Sequence, residues 1–175
     1  MKMYSKNHTV NVWVKVITKK FNDIPFMDRS KDIGTILGIT SKSELKKIDE
    51  ASFIAFGNSL GISTFEDACK KLGISTRLPN LIDLGEELSK KYLAEYKLNI
   101  IIKALNEGWY PNWNNTDEYK YFPYFNMTSE GFSYWSAHYY FATSTDVPSA
   151  LVLKTKELAI YCGSRFTNLY EEYYK

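Results

Sequence analysis

Residues 109–141 read WYPNWNNTDEYKYFPYFNMTSEGFSYWSAHYYF. Fourteen of these thirty-three residues are aromatic, half of all the aromatics in the chain. Two pieces of the run are rich in strand formers, Tyr119 to Met127 and Phe132 to Phe141, and Thr128-Ser129-Glu130-Gly131 between them is a hairpin turn. Pro123 cannot donate to a ladder, so the first piece is an edge strand or carries a bulge. Tyr and Trp have polar tips that each need a partner or water. The run is therefore either a sheet whose aromatics fill a core or a face that stacks on a partner.

Outward from the run, Leu151-Val152-Leu153 reads as a third short strand. Thr155 then caps a final helix with the apolar stripe Leu158, Ala159, Cys162, Phe166 and Leu169, and the tail 170–175 is expected to fray. Upstream, the longest helix spans Asp83 to Asn106 and ends at Gly108. Its stripe is Leu84, Leu88, Tyr92, Tyr96 and Ile100, and its last turns are apolar nearly all round, which implies burial on several sides. Ser63 or Thr64 caps a shorter helix through Leu72, punctuated by Gly73.

The N-terminal part differs. Residues 8–18, HTVNVWVKVIT, alternate as a half-buried strand that ends at Asn22-Asp23-Ile24-Pro25. Ser41 and Glu44 have capping-box spacing for a helix that stops near Gly57, and Gly57 to Gly61 reads as a linker. The expected fold is α+β: an antiparallel aromatic-rich sheet packed on a long central helix and a C-terminal helix, with an N-terminal strand and helix extension. Residues 1–60 form the extension and 61–175 the domain.

The chain has 175 residues and a net charge of +2, enough for one sizeable core but not a general polyanion binder. Cations concentrate in residues 1–31, whereas the aromatic run holds Lys120 alone against Asp117, Glu118 and Glu130. No apolar stretch is long enough to span a bilayer and no signal peptide opens the chain, so a cytoplasmic protein is expected. Cys69 and Cys162 read as small buried thiols. The two His and two Cys lack metal-ligand spacing, so no metal is expected. Glycine-rich phosphate loops, HExxH and GxSxG are absent, and neither His8 nor His138 has a triad neighbourhood. Carboxylates beside aromatics suggest a glycosidase, but Glu107, Asp117, Glu118 and Glu130 all fall in turns or at helix ends. Neither an enzyme nor a cofactor is expected.

Two binding readings compete. A Tyr-rich, charge-poor run has the composition of a protein interface, with Trp109, Tyr110, Trp113, Tyr119, Tyr121, Tyr124, Trp135 and Tyr139 as contact residues. The alternative is single-stranded nucleic acid stacked on the same rings, for which the run lacks cations and would need Lys15, Lys19 and Lys20 from the basic strand. The bland function of those lysines is to solvate an edge.

The segments TFEDACKKLGI (64–74), YKLNIIIKALNEGWYPNWNN (96–115), EYKYFPYF (118–125), GF (131–132) and KTKELAIYCGSRFTNLY (154–170) together resemble a family of small proteins from phages and mobile elements of gut Bacteroidetes. The likeness covers about residues 63–172. It departs from the family pattern at Asn112, where Asp is usual, and at Ala150, where the family has an arginine. The resemblance implies a bacterial cytoplasmic setting and an accessory protein that acts by binding a host or phage protein, or by self-assembly. It brings no catalytic residue or cofactor with it.

Overall fold

The structure, a computed structural model, describes residues 50, 53–129, 131–140 and 151–175. The strand read over 8–18, the lysines Lys15, Lys19 and Lys20, and most of the 41–57 helix lie outside those residues. Contacts divide the chain into two units, Met1–Gly61 and Ile62–Lys175. In the first, residues 53–60 are helical. The helix expected to stop near Gly57 thus runs on to Leu60, through most of the expected linker, and the chain turns at Gly61 with φ +63°.

The second unit is α+β. Its first helix, α1 (Phe65–Leu72), has a reciprocal cap: Thr64 Oγ1 accepts the Asp67 amide while the Asp67 carboxylate accepts the amides of Ser63 and Thr64. Gly73 closes it in the left-handed conformation, as its place after Leu72 predicts. A short 3-10 turn (Ile82–Leu84) precedes α2 (Glu86–Asn106), so the long helix begins three residues later than its periodicity suggests.

The expected stripe of α2 is only half right. Ile100 is buried and Tyr96 half-buried, but Leu84, Leu88 and Tyr92 are exposed. Burial begins at Ala94, and from Leu98 to Asn106 only Asn99 and Lys103 escape it. The neighbours of α2 cover its second half, which is what apolar residues all round predict.

Strands β1 (Lys120–Thr128) and β2 (Gly131–Tyr140) pair antiparallel, from Lys120 opposite Tyr140 to Thr128 opposite Gly131. The expected third strand is a single bridge: Tyr121 and Leu153 exchange both backbone hydrogen bonds. The next pair in that ladder would set Leu151 against Pro123, which has no N–H. On the other side Thr155 already caps a helix. Pairing stops after one residue for those two reasons. Since the Tyr121 N–H points away from β2, Pro123 does too, and its missing donor falls on the outer edge.

The final helix is two: α3 (Lys156–Arg165), capped by Thr155, and α4 (Thr167–Tyr174), with a break at Phe166. The hairpin rests on α3, whose residues Leu158–Gly163 are all buried, and reaches α4 through Phe125 and Phe132. Helix α2 packs mainly on α1 and α4. The C-terminal tail does not fray. Tyr170 is fully buried and Tyr174, one turn on, packs on Phe125 and Phe132, so the aromatic hairpin holds the helix end.

Candidate functional site

The eight aromatic contact residues do not form one surface; the fold sorts them into three groups. Tyr119, Tyr121 and Tyr139 cluster near the start of α3, with Tyr119 edge-on to Tyr139 at 4.9 Å between centroids. Tyr121 is half-buried there, and burial, then the nearby Glu157 charge, raises its phenol pKa.

Tyr124 and Trp135 form the second group, their rings 5.8 Å apart. Alternation places Tyr124 opposite in sense to Pro123, which faces α3, so Tyr124 points away from the helices. Trp135 joins it because of a register shift. Tyr124 pairs with Ser136 but Phe125 pairs with Tyr134, leaving Trp135 as the extra residue of a β-bulge. The bulge lets Phe132 and Tyr134 remain against Phe125 while Trp135 turns outward to 63 % exposure.

Trp109, Tyr110 and Trp113 form the third group, at the end of α2. Glu107 and Gly108 both have positive φ, 50° and 86°, which folds the chain back beside the helix it has just left. The Trp109 amide donates to Asn106 O at 2.9 Å and fixes the reversal. Asn99, Ile102, Lys103 and Asn106 lie at i, i+3, i+4 and i+7, one face of α2. They form one wall of a cleft of about 440 Å³, the Trp109–Trp113 loop forms the other, and Val152 closes it. Trp109 and Trp113 are half-buried and Tyr110 is 70 % exposed.

Two buried polar side chains hold this cleft in shape. The Asn106 amide donates to Val152 O at 2.9 Å and its oxygen accepts from the Lys154 amide at 3.0 Å, which ties the bridge segment to α2. Lys120, the one cation of the aromatic run, is not a surface charge at all. It is 0 % exposed, donates to Asn115 O and Glu118 O at 2.7 and 2.8 Å, pairs with Glu118 Oε1 at 3.3 Å, and sits 5.7 Å from the Trp113 ring centre. Glu118 also accepts the Asn112 amide. The 112–118 loop is thus wrapped around an ammonium, an arrangement that no local pattern in the sequence announces.

Two of the carboxylates near the aromatic run, Glu107 and Glu118, are held by lysine. Glu107 is paired with Lys71 at 2.7 Å and Lys154 at 3.2 Å, whose hydrogen bonds hold its pKa below the usual carboxylate range. No carboxylate lines the cleft among the described residues. Cys69 and Cys162 are both buried and unbonded to each other. No described group of His, Cys, Asp or Glu is arranged to hold a metal ion, and no described helix is long and apolar enough to cross a membrane. The sequence reading missed the cleft, Asn99 and Lys103. Their one signal was the 99, 102, 103, 106 spacing beside a glycine-terminated helix end. Comparison with protein-family models, curated proteins and solved structures finds no significant match.

Proposed function

We propose that residues 62–175 form a non-enzymatic protein-binding module whose contact surface is the outward face of the hairpin, centred on Tyr124 and Trp135. The observation that carries this reading is the burial of Lys120 under the 112–118 loop, which leaves two exposed rings with no cation from the aromatic run beside them. Trp and Tyr on a rigid sheet, without lysine at the centre, have the composition of protein interface hot spots. A bulge that turns an indole outward costs pairing regularity, and such bulges often re-aim a functional side chain. The likeness of residues 63–172 to small phage and mobile-element proteins supports an accessory role in a bacterial cytoplasm. There the module would inhibit a host or defence protein, or assemble with itself.

Single-stranded nucleic acid is the alternative; the aromatic run itself offers it no cation, because Lys120 is buried, so it calls on Lys15, Lys19 and Lys20. The test compares the full chain with a Tyr124→Ser/Trp135→Ser variant by sedimentation and by retention of partners from a bacterial host lysate. Self-association or a retained partner that the variant loses supports the module. A chain that neither self-associates nor retains any protein overturns it. A low-salt oligonucleotide shift lost on replacing the three lysines would establish the alternative instead.

A further inference from the structure

The cleft at the end of α2 is a separate matter from the hairpin face. We propose that it binds a small flat aromatic anion, with the ring against Trp109 and Trp113 and the acidic group at Lys103. Its volume of about 440 Å³ suits one such molecule. Most of the lining is apolar or aromatic: Ile102, Trp109, Pro111, Trp113 and Val152, with Tyr110 at the exposed side.

The polar groups that remain are few and point to an anion. Asn106 is spent on Val152 and Lys154. Asn99 donates its amide to Glu95 O, which leaves its Oδ1 as an acceptor. Lys103 is exposed, lines the cleft, and has no ion-pair partner among the described residues. The carboxylates that could repel an anion, Glu107 and Glu118, are each held by lysine.

A sugar is a poorer occupant, because it needs several side-chain donors and acceptors, and beyond the tips of its aromatic rings the cleft has only Asn99 and Lys103 to offer. A neutral ring would leave Lys103 unused. The walls are set before any ligand arrives: Asn106 and Lys120 fix them from behind, which lowers the cost of binding. One wall is a helix C-terminus, whose partial negative charge disfavours anions, so the cation at Lys103 has to outweigh it.

Adenosine monophosphate, adenosine and benzoate are the probes, the two anions standing for a nucleotide and a non-nucleotide source. They are titrated into the full chain carrying Trp13→Phe and Trp135→Phe, with tryptophan emission as the readout. Saturable change is expected with at least one anion, and adenosine should bind about tenfold more weakly than its monophosphate wherever the nucleotide is the one bound. Lys103→Met should weaken the anion about tenfold and leave adenosine unchanged. Lys103 is exposed, so this variant folds, and a Trp109→Ala variant that keeps its fold should lose all binding. No saturable change with either anion at low salt overturns the proposal. So does anion binding that Lys103→Met leaves intact.

Discussion

Gly163 of α3 meets Pro123 of β1 so closely that a β-carbon built on the glycine would fall 2.5 Å from the proline Cβ. The same atom would lie 2.5 Å from the Tyr134 ring. Both neighbours are held, the proline by its pyrrolidine and Tyr134 by its packing on Phe125. The close approach of hairpin to helix therefore depends on a hydrogen in place of a methyl. Gly163→Ala improves helix propensity by up to about 1 kcal/mol, yet overpacking costs about 1–3 kcal/mol and here has nowhere to relax. The variant is expected to be less stable in urea, with an unchanged slope. Gly163→Ala combined with Tyr134→Leu should recover part of the loss, because the ring is the softer of the two obstacles.

Asn106 gives a second prediction. Its two hydrogen bonds join the end of α2 to a segment 46 and 48 residues away, the one to Val152 O buried and the one from the Lys154 amide partly so. Asn106→Leu leaves Val152 O and the Lys154 amide without partners, at about 1–3 kcal/mol for each buried group stranded. Asn106→Asp keeps the acceptor for Lys154 but sets a carboxylate against Val152 O, so it should be the worse of the two at neutral pH. Thermal melts of the three proteins check the order.

Several elements could be read directly from the residues because their causes are local. Thr64 and Gly73 bound α1 through a cap and a left-handed turn. Pro123 marks an edge because a missing N–H has the same meaning in any fold. Longer-range causes were not legible. Leu84, Leu88 and Tyr92 have helical spacing, but spacing does not say how far along α2 its neighbours extend. Lys120 looked like the lone cation of an aromatic run, whereas it is buried under a loop whose carbonyls become ligands only after the chain has folded back. Tyr170 and Tyr174 looked like a loose tail for want of any sign that Phe125 waits for them. The cleft, likewise, exists only through the reversal at Glu107 and Gly108.

Lys120 is the subject of the third prediction. Removing the ammonium strands Asn115 O, Glu118 O and the Glu118 carboxylate at once, and breaks the contact with Trp113. Lys120→Met preserves the stem and should cost about 1–3 kcal/mol, because the Glu118 carboxylate left behind is 26 % exposed and keeps the Asn112 amide. Amide exchange should rise across 112–118 before it rises in β2. A loss spread evenly over the domain would mean that the ammonium does not hold this loop.

The last prediction concerns alkaline pH. Burial pushes the Cys162 thiol from 9.0 up to about 12 and the Tyr134 phenol from 10.0 up to about 12, and Tyr170, hydrogen-bonded to Cys162, is raised well above 10.0. Each group is neutral when protonated and holds its proton longer in the folded protein than in the unfolded chain. The unfolded state therefore binds fewer protons above pH 9, and stability must fall as pH rises. The contribution is complete below pH 9 and is lost between about pH 9 and 12, at about 1.4 kcal/mol per pH unit for each group while it titrates only in the unfolded chain. Denaturation midpoints should be flat through neutrality and drop steeply beyond pH 9. Cys162→Ala should make the drop just above pH 9 shallower, because the Cys69 thiol, also raised by burial, is then the one buried thiol left to titrate below the phenols among the described residues. At pH 8 the Cys162 thiol stays protonated and shielded, so it should react with a thiol reagent only as fast as the domain opens, and rapid native-state labelling there would refute its burial against Tyr170.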